Sequence, residues 1–161
     1  MKKCLLIIDV QVGFINNFTK HIPTKVEKLQ YEYKYVYITR FYNKEKSFYR
    51  KLLKWNRFSK DSDDFELAFK PKTNSKIIDK SIYSCINEDF LKELKKFNID
   101  EIDICGIDTD ICVTKCSVDL FENNIIPKVL ANYCASHAGI ENHLSALKIL
   151  KRYIGKEQII Q

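Results

Sequence analysis

Residues 101–116 read EIDICGIDTDICVTKC, and the fold is decided by how this stretch divides. EIDICGI (101–107) is a short apolar run rich in isoleucine, the pattern of a parallel strand covered on both faces. Gly106 marks the turn that follows. The polar DTD at 108–110 then offers N-cap candidates for a helix over 112–123. A strand running through a tight turn into a helix is the unit from which α/β folds are built, and the rest of the chain repeats it. CLLIIDV (4–10), YVYITR (35–40), SKIIDK (75–80), IIPKVLA (125–131) and EQIIQ (157–161) read as further strands, the last at an edge. Helical patterns fill 87–97 and 140–154. In the first, Asn87 caps, acids come early, lysines come late, and Phe90, Leu91, Leu94 and Phe97 share a face; in the second, Leu144, Leu147 and Leu150 do so. With no internal repeat and no linker, the expectation is one α/β domain over residues 1–161 with a mainly parallel sheet. Residues 59–74 are its irregular excursion.

Composition narrows the setting. A chain of 161 residues can bury a sizeable core, and 45% hydrophobic with 30% charged residues is an ordinary globular balance. The apolar run in MKKCLLIIDV is too short for a signal peptide and is broken by Asp9. No segment approaches the ~20 apolar residues that span a bilayer. A cytoplasmic protein is expected, with its six cysteines as reduced thiols and most of them as small buried hydrophobes. The net charge of +6 is spread along the chain except at 44–60, KEKSFYRKLLKWNRFSK. There Phe48, Leu52 and Trp55 fall at helical spacing, which favours an amphipathic helix on a core or a subunit neighbour. Interleaved basic and aromatic residues leave a weaker reading as an anion or nucleic-acid binder.

In parallel sheets, ligands bind beyond the carboxyl ends of the strands. Strand one ends at Asp9, strand three at Lys80, and strand four runs into the loop that carries Cys112. A carboxylate, an ammonium and a thiol are thereby brought to one edge. A cysteine at a helix N-terminus beside a cation can have its pKa lowered from ~8.5 into the range ~3.5–7.5. Lys80 would supply the cation, and Asp9 would take the thiol proton and return it to a leaving group. Backbone N–H groups of the same loop would hold an oxyanion.

These blocks resemble the isochorismatase-like cysteine hydrolases, a family that includes the nicotinamidases. The matching residues are Asp9, Gln11 and Phe14; Lys80, Tyr83 and Ser84; Gly106, Thr109, Asp110, Cys112 and Val113; and Ala135, Ser136, His143, Ala146 and Leu147. The resemblance implies a three-layer α/β/α, Rossmann-like fold with a six-stranded sheet and a triad of Asp9, Lys80 and Cys112. It also implies a cis peptide at Ile107–Asp108 and oxyanion donors at the N–H groups of Asp108 and Cys112. The activity implied is hydrolysis of an amide-type C–N bond through a thioester.

Some positions depart from the family pattern. After strand two the sequence is TRFYNKEKS, without the Asp-x-His that metal-binding relatives carry there. No metal and no cofactor are therefore expected, and substrate anchoring falls to Phe14, Arg40, Tyr42 or Trp55. Asn132 replaces an aspartate of strand five, and Ile86 a phenylalanine. Cys116, Cys105 and Cys4 are read as packing, His143 as pinning the last helix or lining an interface, and His21 and His137 as loop residues. The expected partners are a small-molecule substrate and other copies of the chain, with no membrane. An inactive binding or assembly module of the same fold is the alternative function.

Overall fold

The centre of the sheet is built where the apolar runs are longest. The computed structural model describes residues 2–161. Its strands are β1 (Lys2–Ile8), β2 (Val36–Phe41), β3 (Lys76–Lys80), β4 (Ile99–Ile107), β5 (Ile126–Ala135) and β6 (Ile159–Ile160). They form one sheet in the order β3-β2-β1-β4-β5-β6, with every pair parallel. Successive strand residues point to opposite faces. Cys4, Leu5, Leu6, Ile7 and Ile8 are nonetheless all fully buried, as are Ile102, Ile104, Cys105 and Ile107, so both faces of the central strands are covered. The result is the expected three-layer α/β/α arrangement, with helices α1 (Ile22–Leu29), α3 (Glu88–Phe97), α4 (Thr114–Glu122) and α5 (Ile140–Tyr153).

Chain order reverses between β1 and β4, which opens a crevice at their carboxyl ends. There β4 approaches β1 so closely that a Cβ on Gly106 would lie 2.1 Å from the Ile8 carbonyl oxygen, and Gly106 has φ +122°. Only glycine fits this crossing.

Several boundaries differ from the sequence reading. β1 stops at Ile8, and Asp9 turns out of the strand with φ 48°. β5 continues to Ala135, which carries the following loop to the crevice. Thr109–Val113 forms a π turn before α4, so the segment read as one helix has two parts. Helix α1 has no counterpart in the reading, although Ile22, Val26 and Leu29 form a buried stripe and a proline stands in its first turn.

The largest correction is at 44–60. Instead of a long amphipathic helix there is one turn, α2 (Phe48–Lys51), capped by Ser47 Oγ, which accepts from the Arg50 N–H. Lys54 and Phe58 then adopt positive φ and fold the chain back. Arg50 holds the loop closed by donating to the carbonyls of Asn43, Lys44 and Asn56 and to Ser59 Oγ. Phe48 and Leu52 are left exposed while Phe58 is buried, so the helical spacing of apolar residues is not what packs this segment.

Gly106→Ala tests the crossing of β1 and β4. Gly139 also has φ near +121° but would meet nothing closer than 3.9 Å, so Gly139→Ala isolates the backbone cost. Gly139→Ala is expected to cost about 1–3 kcal/mol and Gly106→Ala measurably more, read as urea midpoints. Equal losses would remove the steric argument.

Candidate active site

Asp9 leaves β1 in a left-handed conformation, and its neighbour in β2 fixes how it points. The Asp9 N–H donates to Thr39 Oγ1 at 3.1 Å, and that hydroxyl donates back to Asp9 Oδ1 at 2.6 Å. The other carboxylate oxygen faces Lys80, which ends β3 in register with Phe41. Lys80 Nζ has three donors, and each finds an acceptor: Asp9 Oδ2 at 2.6 Å, the Ile82 carbonyl at 3.2 Å and Cys112 Sγ at 3.6 Å. Neither side chain of the ion pair is more than 4% exposed.

Cys112 reaches this pair on the π turn after β4. The Ile107–Asp108 peptide is cis, and the turn is tied at both ends. Thr114 Oγ1 donates to the Thr109 carbonyl, and Thr109 Oγ1 lies 2.7 Å from His143 Nδ1 on α5. His143 thus pins the last helix to the nucleophile loop, the first of the two roles that the sequence leaves open for it. Gln11 staples the opposite side, donating to the carbonyls of Phe41 and Phe65 and accepting the Phe41 N–H.

Above the thiol is a cavity of about 280 Å³ with walls from Phe14, Phe41, Leu53, Trp55, Tyr83 and Ile111, and with Asp108 and His137 as polar members. Phe14 and Trp55 therefore line the cavity beside Cys112. Arg40 and Tyr42 do not. Arg40 forms a two-pronged pair with Asp79 and lies over the Phe65 ring, while the Tyr42 ring is covered by Lys60. The sequence reading leaves out Phe41, Tyr83 and the Asp108 side chain as wall residues. It also takes His137 for a loop residue. Its signal was available, because Ala135-Ser136-His137 follows β5 at the carboxyl edge, but the strand was read as ending too early. Asn132 is on the surface and Ile86 packs against the core.

The expected acidic thiol needs correcting. Burial pushes the Cys112 thiol well above its ordinary range; Lys80 pulls it down, and the Asp9 carboxylate pushes it up again. For Lys80, burial opposes the charge, but Asp9 and the Cys112 sulfur outweigh it and raise the ammonium above its usual value. Burial thus favours the protonated thiol at Cys112, and the neighbouring negative groups favour the ammonium at Lys80. The other cysteines are buried packing residues. Cys116 and Cys85 have their sulfurs 4.0 Å apart beneath the site.

The isochorismatase-domain family model matches residues 3–157. The chain belongs to the isochorismatase family. As an isochorismatase-family hydrolase it shares its fold with a pyrazinamidase from Pyrococcus horikoshii solved in complex with zinc (TM-score 0.87, 20% identity, 100% of this chain and 99% of that one). A nicotinamidase from Bacillus subtilis superposes with a TM-score of 0.84 at 22% identity over 100% of both chains. An N-carbamoylsarcosine amidase from Thermoplasma acidophilum gives 0.76 at 18% identity over 93% of each. No curated protein matches the sequence. Among the described residues, no three His, Cys, Asp or Glu side chains converge where they could hold a metal, and Asp108 and His137 at the cavity are bonded to each other.

In this hydrolase, limited iodoacetamide treatment is expected to label Cys112 first, since it alone of the cysteines lines the cavity. The rate should climb with pH without levelling off near neutrality. Asp9→Asn should move the profile to lower pH and Lys80→Met to higher pH, the directions in which each charge acts on the thiol. Peptide mapping that finds Cys85 or Cys116 labelled before Cys112 would contradict this assignment.

Proposed function

We propose that this protein hydrolyses an amide-type C–N bond of a small molecule, with Cys112 as nucleophile, Asp9 as proton acceptor and donor, and Lys80 as the cation that couples them. The observation that supports it is Lys80 Nζ bridging Asp9 Oδ2 at 2.6 Å and Cys112 Sγ at 3.6 Å beneath a cavity large enough for a small amide. The structural neighbours named for amide hydrolysis, a nicotinamidase and an N-carbamoylsarcosine amidase, favour the same bond type.

The neutral thiol makes the role of Asp9 specific. As sulfur attacks the carbonyl carbon, the thiol proton passes to the Asp9 carboxylate, and the negative charge forming on sulfur is met by Lys80. The carbonyl oxygen becomes an oxyanion held by the backbone N–H groups of Asp108 and Cys112. Asp9 then gives its proton to the leaving nitrogen, the C–N bond breaks, and ammonia or an amine departs from a Cys112 thioester. Water attacks the thioester with Asp9 again taking the proton; the C–S bond breaks and the carboxylic acid leaves as the thiol is restored. No step in this scheme uses a metal ion.

Other parts of the reading have separate support. The free thiols suit a cytoplasmic setting, and among the described residues no helix is long and apolar enough to cross a membrane. Exposed Phe48, Leu52 and Ile82 near the cavity suit a homo-oligomer. Nucleic-acid binding through 44–60 loses ground, because Arg50 is spent on loop carbonyls, Arg57 on Asp64 and Lys60 on Asp79.

The test is ammonia release over a panel of small carboxamides, ureides and carbamoyl compounds. Cys112→Ala is expected to abolish turnover with the fold intact, and Asp9→Asn to lower it ~10²–10⁴-fold. An inert wild-type protein across the panel would favour the binding-module alternative. Activity should also survive chelation; loss to a chelator with recovery on adding zinc or iron would overturn the metal-free mechanism.

A further inference from the structure

The cavity has one polar feature that the proposed chemistry does not use. Asp108 Oδ2 lies 2.6 Å from His137 Nδ1, and Asp108 Oδ1 accepts the His137 backbone N–H at 2.7 Å. Both carboxylate oxygens are thus committed to one residue, and Asp108 is only 4% exposed. The imidazole is 39% exposed, packs its ring 5.4 Å from Phe14 and lines the cavity. Its Nε2 has no hydrogen-bond partner among the described residues and is not a sealed atom. A dyad so placed lines the cavity with an imidazole whose Nε2 is left unpaired.

We propose that the Asp108–His137 dyad is the specificity element of this site, binding a carboxylate on a flat, largely apolar amide substrate through His137 Nε2–H. The inference rests on the hydrolase reading for the site and adds the substrate class to it. The cavity walls support the flat apolar body, since Trp55 stacks on Phe41 at an interplanar angle of 9° beside Phe14, Tyr83 and Ile111. Cys112 would take the amide and His137 the anionic group. A cationic group gains nothing here, because the one carboxylate on the wall is saturated by His137.

Charge makes the recognition pH-dependent. The hydrogen bond donated to Asp108 raises the imidazole above its ordinary pKa; burial opposes this, Asp108 and Asp110 add to it through their charge, and Arg57, itself paired with Asp64, works against it. Protonated His137 donates from Nε2, whereas the neutral ring keeps its proton on Nδ1 for Asp108 and offers Nε2 only as an acceptor. Carboxylate affinity should therefore be present at lower pH and fall as pH rises through the His137 pKa.

The experiment measures binding, by calorimetry, of benzamide, 3-carbamoylbenzoate and 3-(aminomethyl)benzamide to the Cys112→Ala protein, which cannot turn over. A charge-assisted hydrogen bond should make the carboxylate bind ~10-fold more tightly than benzamide at about pH 6, with the advantage gone at about pH 9. Adding His137→Gln should remove the advantage at both pH values, read as the ratio of carboxylate to benzamide affinity within the same variant. Adding His137→Arg should keep the advantage and abolish its pH dependence, which separates recognition from a merely structural role. If benzamide binds and the carboxylate gains nothing, or the aminomethyl compound binds best, the dyad assignment is overturned while the hydrolase reading stands. If the carboxylate binds as expected but wild-type protein releases no ammonia from any amide, the hydrolase reading fails and the recognition site remains. If none of the three binds, the dyad assignment falls.

Discussion

Lys80 and Asp9 meet 2.6 Å apart where neither side chain reaches water, and a charged pair in that position has to be satisfied completely. Effective desolvation amounts to several kcal/mol per ion, and attraction between the partners offsets it only when the remaining donors and acceptors are also used. Here they are. Thr39 takes the second carboxylate oxygen, and Ile82 and Cys112 take the remaining ammonium protons. The thiol is thus part of what completes the pair, which ties the position of its sulfur to Lys80.

That pair can exist only because the sheet brings distant segments to one edge. β1, β2 and β3 are neighbours in register, so the ends of β1 and β3 sit one strand apart with Thr39 between them. β4 flanks β1 on the other side and delivers the nucleophile loop across the point where chain order reverses. The close crossing at Gly106 sets the distance between the loop and Asp9, and the Thr109–His143 bond sets its tilt. Backbone strain at Asp9 itself, with φ 48°, is the local cost of turning its carboxylate inward.

The cavity above these groups follows different physics. Its walls come from loops after β1, β2, β3, β4 and β5, and the aromatic side chains of the 44–60 segment close it by packing on Phe14 and Phe41. Charged groups beneath an apolar roof lie in a lowered local dielectric, so charge at the Cys112 sulfur is felt strongly by Lys80 and Asp9. The one polar wall, Asp108 with His137, stands on the loop that carries the thiol and just past the end of β5, tying the two loops together at the cavity.

Much of this was legible in the order of residues. The alternation of apolar runs with helical faces is a local property, so the α/β class, the strands and the carboxyl-edge positions of Asp9, Lys80 and Cys112 could be read before any contact was known. The short motifs around those residues carried the family as well, because a turn that must hold glycine and a thiol at set spacing constrains neighbouring positions. What the sequence could not carry were properties that depend on which segments meet. Residues 44–60 have helical spacing, yet carbonyls from both ends of the loop converge on Arg50 and fold it shut. Arg40 is diverted by Asp79 on the adjacent strand, whereas the extension of β5 to Ala135 turns His137 from a loop residue into a wall of the cavity. The state of the thiol was out of reach for the same reason: a helix start and a lysine argue for an anion, but burial, with the Asp9 carboxylate beside it, pushes the thiol pKa up. Ionisation and pocket shape are set by surroundings drawn from the whole chain, and only the folded arrangement supplies them.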